Sequence, residues 1–267
     1  MVTDMNTVLR NPPPAGTVRT PGAGAQGPAA ARPAAPAALQ RDDVVVLLLA
    51  AMRPGALAWG WSRVVLRDKP LRQVPGLQFV KALGSGFEGG FGVKPSLDRS
   101  GLFALFRGEA AADAFIEQSA TVAGYRAHAR ELFVAKLRAT SSRGRWSGQD
   151  MGVSAQPMPG GPVAALTRAS IKLGKSPTFW RLAPAAQVDL ESASGCQLAV
   201  GLGEAPLLRQ ATFSVWDNVA AMDAYARSGA HMRAIQASVK NGFFSETMFV
   251  RFVPLLMQGQ WKGRSYG

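Results

Sequence analysis

The chain has 267 residues, enough for one large domain or two of roughly 100 to 120 residues. Its apolar fraction of 47% and mean hydropathy of +0.04 predict a soluble, globular chain with ample core material. One cysteine, Cys196, excludes an intrachain disulfide, and with two histidines it excludes a multi-ligand zinc site or an iron–sulfur cluster, though not a cofactor that needs a single axial residue.

Lysine and arginine number 30 against 17 acidic residues, a net charge of +13. Such a field favours an acidic partner: nucleic acid, an anionic membrane surface or an acidic electron-transfer protein. Residues 1–42 are dominated by Pro, Ala and Gly and predict a disordered tail, since they offer too little apolar surface to offset ordering. The run VVVLLLAA (44–51) suits a buried strand. It is too short for a membrane span and lies too far from the N-terminus for a signal-peptide core, so a cytoplasmic protein is expected.

From Val44 onward a repeat sets the architecture. The first half reads strand 44–51, helix 55–67, strand 77–83, strand 101–106, helix 110–132 and strand 133–137. The second reads strand 163–171, helix 177–190, strand 196–202, strand 211–216, helices over 219–239 and strand 247–252. In the second, Asp217-Asn218 make a turn and cap, and Ser228 caps the helix that carries His231. GLFALFRGEAAADAF (101–115) matches ATFSVWDNVAAMDAY (211–225) at a constant offset, and each half closes on a similar phrase, GRWSG (144–148) and GQWKG (259–263). A βαββαβ order is the ferredoxin-like unit. The prediction is an α+β fold: two tandem ferredoxin-like halves, 43–150 and 151–267, forming a pseudo-symmetric dimeric-type α/β barrel with helices outside.

Few motifs carry chemistry. GSGFEG (84–89) matches a dinucleotide fingerprint, but GFGVKP follows it and cannot open the helix that fingerprint needs, so it reads as a strand connection or pocket rim. GFGV (90–93) is a weak echo of an RNA-binding strand without its run of aromatics, and no nucleic acid is expected. His128 shares an inward helical face with Tyr125 and Leu132. His231 stands in a first helical turn, where the macrodipole disfavours imidazolium and keeps the ring available as a neutral ligand. Either ring would also serve as a core histidine satisfied by a backbone hydrogen bond. Cys196 starts a buried strand and reads as core. Arg143, Arg145 and Trp146, with Lys262 and Arg264 beside Trp261, form two basic-aromatic corners, fit either to hold carboxylates or to staple the halves together. Trp59 and Trp61 on the first helix read as core packing in preference to a membrane-facing edge.

These segments resemble the spheroidene monooxygenase family, the carotenoid 2-ketolases of purple photosynthetic bacteria. The matching phrases are FVKALGSG (79–86) leading to Gly90-Phe91, YRAHA (125–129), TSSRGRWSG (140–148), GPVAALTRA (161–169), GLGEAP (201–206), QATFSVW (210–216), the His231 segment and WKGRS (261–265). The likeness spans about residues 44 to 265. It implies a haem-dependent monooxygenase that oxidises C-2 of acyclic carotenoids with O2 and electrons from a reduced ferredoxin. Two hydroxylations and loss of water take spheroidene to spheroidenone. C-2 is a methylene beside the conjugated chain, so its C–H bond is weakened. The resemblance places both histidines in matching segments; His231 is the first choice as haem axial ligand and His128 the second, with Arg143, Arg145 and Trp146 as candidate propionate partners. It also implies a barrel holding one haem, with an apolar channel that opens peripherally on the photosynthetic membrane. A non-catalytic haem or carotenoid carrier on the same fold and a basic nucleic-acid-binding protein are the rival readings.

Overall fold

The computed structural model describes residues 41–267, apart from 67–70, 72, 157–159, 206 and 228 and the side chains of 182–189, 230, 231 and 239. The predicted tail, up to residue 40, and the Ser228 cap lie outside the described residues.

Strand β1 (Asp43–Met52) is buried along its whole length, which is why its sequence is a continuous apolar run with no alternation. Val45, Leu47, Leu49 and Ala51 point to one core, while Val44, Val46, Leu48, Ala50 and Met52 point to another. Helix α1 (Leu57–Leu66), β2 (Leu77–Gly86), β3 (Pro95–Arg107), α2 (Glu109–Gln118), α3 (Ala120–His128) and β4 (Ala129–Gly144) complete the first half. The second half repeats it as β5 (Val163–Ile171), α4 (Ser176–Glu191), β6 (Cys196–Ala205), β7 (Arg209–Trp216), α5 (Val219–Ala226), α6 (Gly229–Asn241) and β8 (Phe244–Trp261), with a short β9 (Arg264–Tyr266) on its edge.

Two local features differ from the sequence expectation. The single helix expected over 110–132 is two, because Ser119 ends α2 and its hydroxyl accepts from the Val122 amide, capping α3. The last strand of each half is also far longer than the expected 133–137 and 247–252. Each extension pairs with the other half's expected strand, β4 with β8 antiparallel from Phe133↔Gly259 to Gly144↔Met248, and so the two strands seam the halves together.

Within each half the strand order is β4-β1-β3-β2 and β8-β5-β7-β6, the ferredoxin-like order. The β4–β8 seam and a short β2–β6 contact at Gly84↔Gly203 close a single antiparallel barrel of eight strands. One core shared by both halves, including Leu47, Phe103, Phe133, Leu166, Phe213 and Phe252, fills its interior. A packed barrel of this width has room for side chains and little else. The space for a channel is therefore to be sought outside the sheet.

The seam depends on a glycine at each corner. Gly259 has φ +97, and a Cβ there would lie 2.0 Å from the Leu132 carbonyl oxygen; its repeat partner Gly144 has φ +85. Gly259→Ala is expected to cost at least about 2 kcal/mol and lower Tm by roughly 4–8 °C, readable by thermal denaturation.

Candidate functional site

The repeat allows the helix-covered outer faces of the two half-sheets to be compared position by position. In the first half one row across the sheet reads Val134, Leu48, Leu102, Ala82. The corresponding row of the second reads Phe249, Thr167, Thr212, Gly201. The next row changes from Lys136, Val46, Ala104, Val80 to Arg251, Ala165, Ser214, Ala199. The cation is kept and pairs with the repeat-related aspartate each time: Lys136 Nζ lies 2.7 Å from Asp113 and Arg251 Nη2 lies 2.8 Å from Asp223. Leucine and valine have become threonine and alanine at the centre of the second face.

With that volume removed, the centre of the second face is less deeply buried than that of the first. Leu48 is 0% exposed, whereas Thr167, mid-strand with partners on both sides, is exposed. The floor of small residues from Ala165 to Ala169 is about 13 Å long by strand rise. Trp216, Val163 and Met222 close one end of it, together with Phe91. At the other, the Phe179 ring packs edge-on against Phe243 and Phe244. The loop 87–94 forms a lip: the Gly90 carbonyl lies over β6 so closely that a Cβ at Gly201 would come within 2.3 Å of it. Above the floor, α4 and α6 pack on each other. His231 lies in the first turn of α6; its side chain is outside the described residues.

Arg143 sits at the end of the same row, paired with Phe249 on the outer face of the seam. Arg145 follows it, its amide donating to the Thr247 carbonyl at 2.9 Å. Neither side chain has a hydrogen bond or ion pair to other described residues. Trp146 is placed differently: it is 1% exposed and plugs one mouth of the barrel against Phe79 and Phe103. Its indole N–H donates to Glu204 at 2.7 Å. Trp261 plugs the other mouth, under Arg99. Lys262 lies 3.5 Å from Glu191, and Arg264 donates to the Gln197 carbonyl. His128, the last residue of α3, stacks on Trp59 at 4.4 Å, with Nδ1 2.8 Å from the Gly124 carbonyl oxygen. Burial pushes the Cys196 thiol up to about 11, leaving it a poor thiolate ligand.

One charged constellation was not read from the sequence. Arg168, with its side chain 2% exposed, reaches both Glu204 and Glu246 from the inward face of β5. Lys81 lies 3.1 Å from the second oxygen of Glu204. Burial alone would raise the Glu204 pKa, but Lys81, the Trp146 N–H and Arg168 outweigh it and hold the carboxyl below its usual range. Its only sequence signal is an arginine at an inward strand position, between the alternating core residues Ala164 and Leu166 and the strand end.

A spheroidene monooxygenase from Rubrivivax gelatinosus is 57% identical over 249 residues, covering 92% of this chain and 96% of that one. The chain belongs to the spheroidene monooxygenase family. A second member, from Rhodobacter capsulatus, is 37% identical over 213 residues, covering 78% of this chain and 88% of its own length. No protein-family model matches the chain. Among solved structures, two of aldoxime dehydratase share the fold of this family member. One is 10% identical with a TM-score of 0.53, covering 81% of this chain and 82% of that one, and the other is 12% identical with a TM-score of 0.50. At that identity the likeness concerns fold alone.

Proposed function

We propose that the chain is a haem-dependent monooxygenase that oxidises an acyclic carotenoid at the methylene beside its conjugated chain, C-2 of spheroidene. O2 is the oxidant and a reduced ferredoxin the electron donor. Family membership supports the reaction, and one observation carries the site: the second half-sheet has Ala165, Thr167 and Thr212 where the first has Val46, Leu48 and Leu102. A flat apolar macrocycle and a polyene both need a surface free of bulky side chains and bounded by aromatic ones. The filled barrel interior leaves no room for haem, so this reading puts the group on the outer face, where the side chains are smaller.

In this reading His231 of α6 holds the iron, and Arg143 and Arg145 meet the propionates as unpaired guanidiniums at the end of the floor. When bound, haem supplies the activation of O2 that no side chain can provide. The protein's own residues position and exclude. The small side chains of β5 and β7 make room, and Phe91, Phe179 and Phe249 keep water from an oily substrate. The Thr167 and Thr212 hydroxyls supply the polar groups on that floor, able to orient an oxygen atom by hydrogen bonding. A net charge of +13 steers an acidic ferredoxin to the surface.

Purified protein is expected to show a Soret band that His231→Ala removes and His128→Ala keeps. Intact haem in the His231 variant together with its loss in the other would move the ligand to His128. The activity itself is tested by reconstitution with ferredoxin, its reductase, O2 and spheroidene. Ketone should accumulate; a carrier on the same fold would bind pigment and return it unchanged.

A further inference from the structure

Eight large apolar side chains are exposed among the described residues, and six of them lie along one edge. Trp61, Val65 and Leu66 stand on α1, Phe87 and Val93 on the lip loop, and Leu97 at the start of β3. Val65 is 70% and Leu97 68% exposed, values that no internal packing explains. The edge is built as a unit: the Trp61 indole N–H donates to the Leu97 carbonyl at 3.0 Å, and the Phe87 amide to the Lys94 carbonyl at 2.8 Å. Cations are interleaved with it. Lys94 Nζ lies 4.1 Å from the Phe87 ring centroid, and Arg63 stands on α1 between Trp61 and Val65, over the inward-packed Trp59. Asp98 is neutralised by Arg130 at 2.6 Å, and Glu88 stands against the cations.

We propose that this edge docks on a bilayer surface carrying anionic headgroups. A tryptophan with aliphatic side chains among lysine and arginine is the chemistry of a membrane interface, where apolar groups enter the acyl boundary and cations meet phosphates. Charge favours this occupant over a second copy of the chain, since two molecules each carrying +13 repel while an anionic surface attracts both. The lip loop connects the edge to the site. Phe87 and Val93 face outward, while Phe91 of the same loop packs inward on the cluster that closes the small-residue floor. Docking therefore puts the lip of the cleft at the lipid. Its purpose rests on the carotenoid reading, since a polyene is carried in the bilayer, but the binding does not need that reading to hold.

The test is sedimentation of the full chain with vesicles of phosphatidylcholine, with and without phosphatidylglycerol. Wild type should pellet with the anionic vesicles and be released by salt. Lys94→Gln should weaken binding about fivefold, and Val65→Asp with Leu97→Asp by about tenfold or more. Val93→Asp, on the loop and outside any packed element, gives the same reading should the double variant fail to fold. Binding that none of these changes alters would overturn the proposal, as would a dimer in solution that the same changes dissociate without any vesicle binding. In the Val65→Asp, Leu97→Asp variant, which leaves the lip loop unchanged, oxidation of vesicle-embedded carotenoid should fall in parallel while that of detergent-dispersed carotenoid stays constant. A protein that pellets normally but oxidises neither sinks the enzymatic reading and leaves the docking intact.

Discussion

A protein carrying Thr167→Leu and Thr212→Leu is expected to melt no lower than wild type and to lose roughly a hundredfold or more in carotenoid oxidation. The substitutions write into the second half what the first already has at those positions, Leu48 and Leu102, side by side in the register. In the first half these leucines are 0% and 2% exposed and pack under α1, α2 and α3. Each added leucine buries apolar surface at about 25 cal/mol per Å² wherever helix atoms meet it, so Tm should hold or rise by a few degrees. The same atoms occupy the floor on which a flat cofactor or a polyene would rest. Stability and activity thus move in opposite directions, the usual signature of an under-packed functional surface. Thermal denaturation, the haem-to-protein absorbance ratio and ketone formation together read the result. A double variant with wild-type turnover would place the site elsewhere.

That floor was within reach of the sequence. The aligned segments 101–115 and 211–225 already set Leu102 against Thr212. What the alignment lacks is the sense of each position, inward or outward, which follows only from the barrel's register. The fold was legible because a βαββαβ pattern repeated twice admits few closures. The long β4–β8 seam was not, since the β4 extension, RATSSRG (138–144), carries no apolar alternation and the β8 extension, VPLLMQGQW (253–261), has a proline near its start and runs into glycine and glutamine; Arg143, Gly144 and Gly259 are strand residues only because the opposite strand is there. Trp146 illustrates the limit of reading residues by type. Beside two arginines it suggests a ligand corner, yet its ring closes the barrel mouth while neither the Arg143 nor the Arg145 side chain is buried. Arg168 was missed for the converse reason: a charge at an inward position contradicts the core pattern unless its partners, Glu204 and Glu246, arrive from other strands.

Those partners carry the second large effect. Glu204→Ala is expected to destabilise the protein by about 3–5 kcal/mol, since it leaves Arg168 buried without one of its counter-charges and the Trp146 N–H without an acceptor. Tm should drop by roughly 10 °C. The corresponding change at the opposite mouth, Glu131→Ala, should cost less: its pair with Arg99 is longer, 3.6 Å, and both side chains are more open to solvent. The pH dependence has a definite sign. The folded pKa of Glu204 lies below its unfolded value, so its contribution is fully present above the unfolded carboxylate range, near 4.3, and is lost as pH falls through the lower folded value. Glu246 acts in the same direction: burial raises its pKa, but the Gly148 and Ser147 amides and Arg168 outweigh that and hold it low. Urea denaturation at neutral pH and again below pH 4 or so should therefore show wild type losing stability that Glu204→Gln, which cannot ionise there, does not lose from this position. Equal acid sensitivity in the two proteins would mean that the carboxylate contributes no more in the folded chain than in the unfolded one, and the mouth would then be held by packing of Trp146 against Phe79 and Phe103 alone.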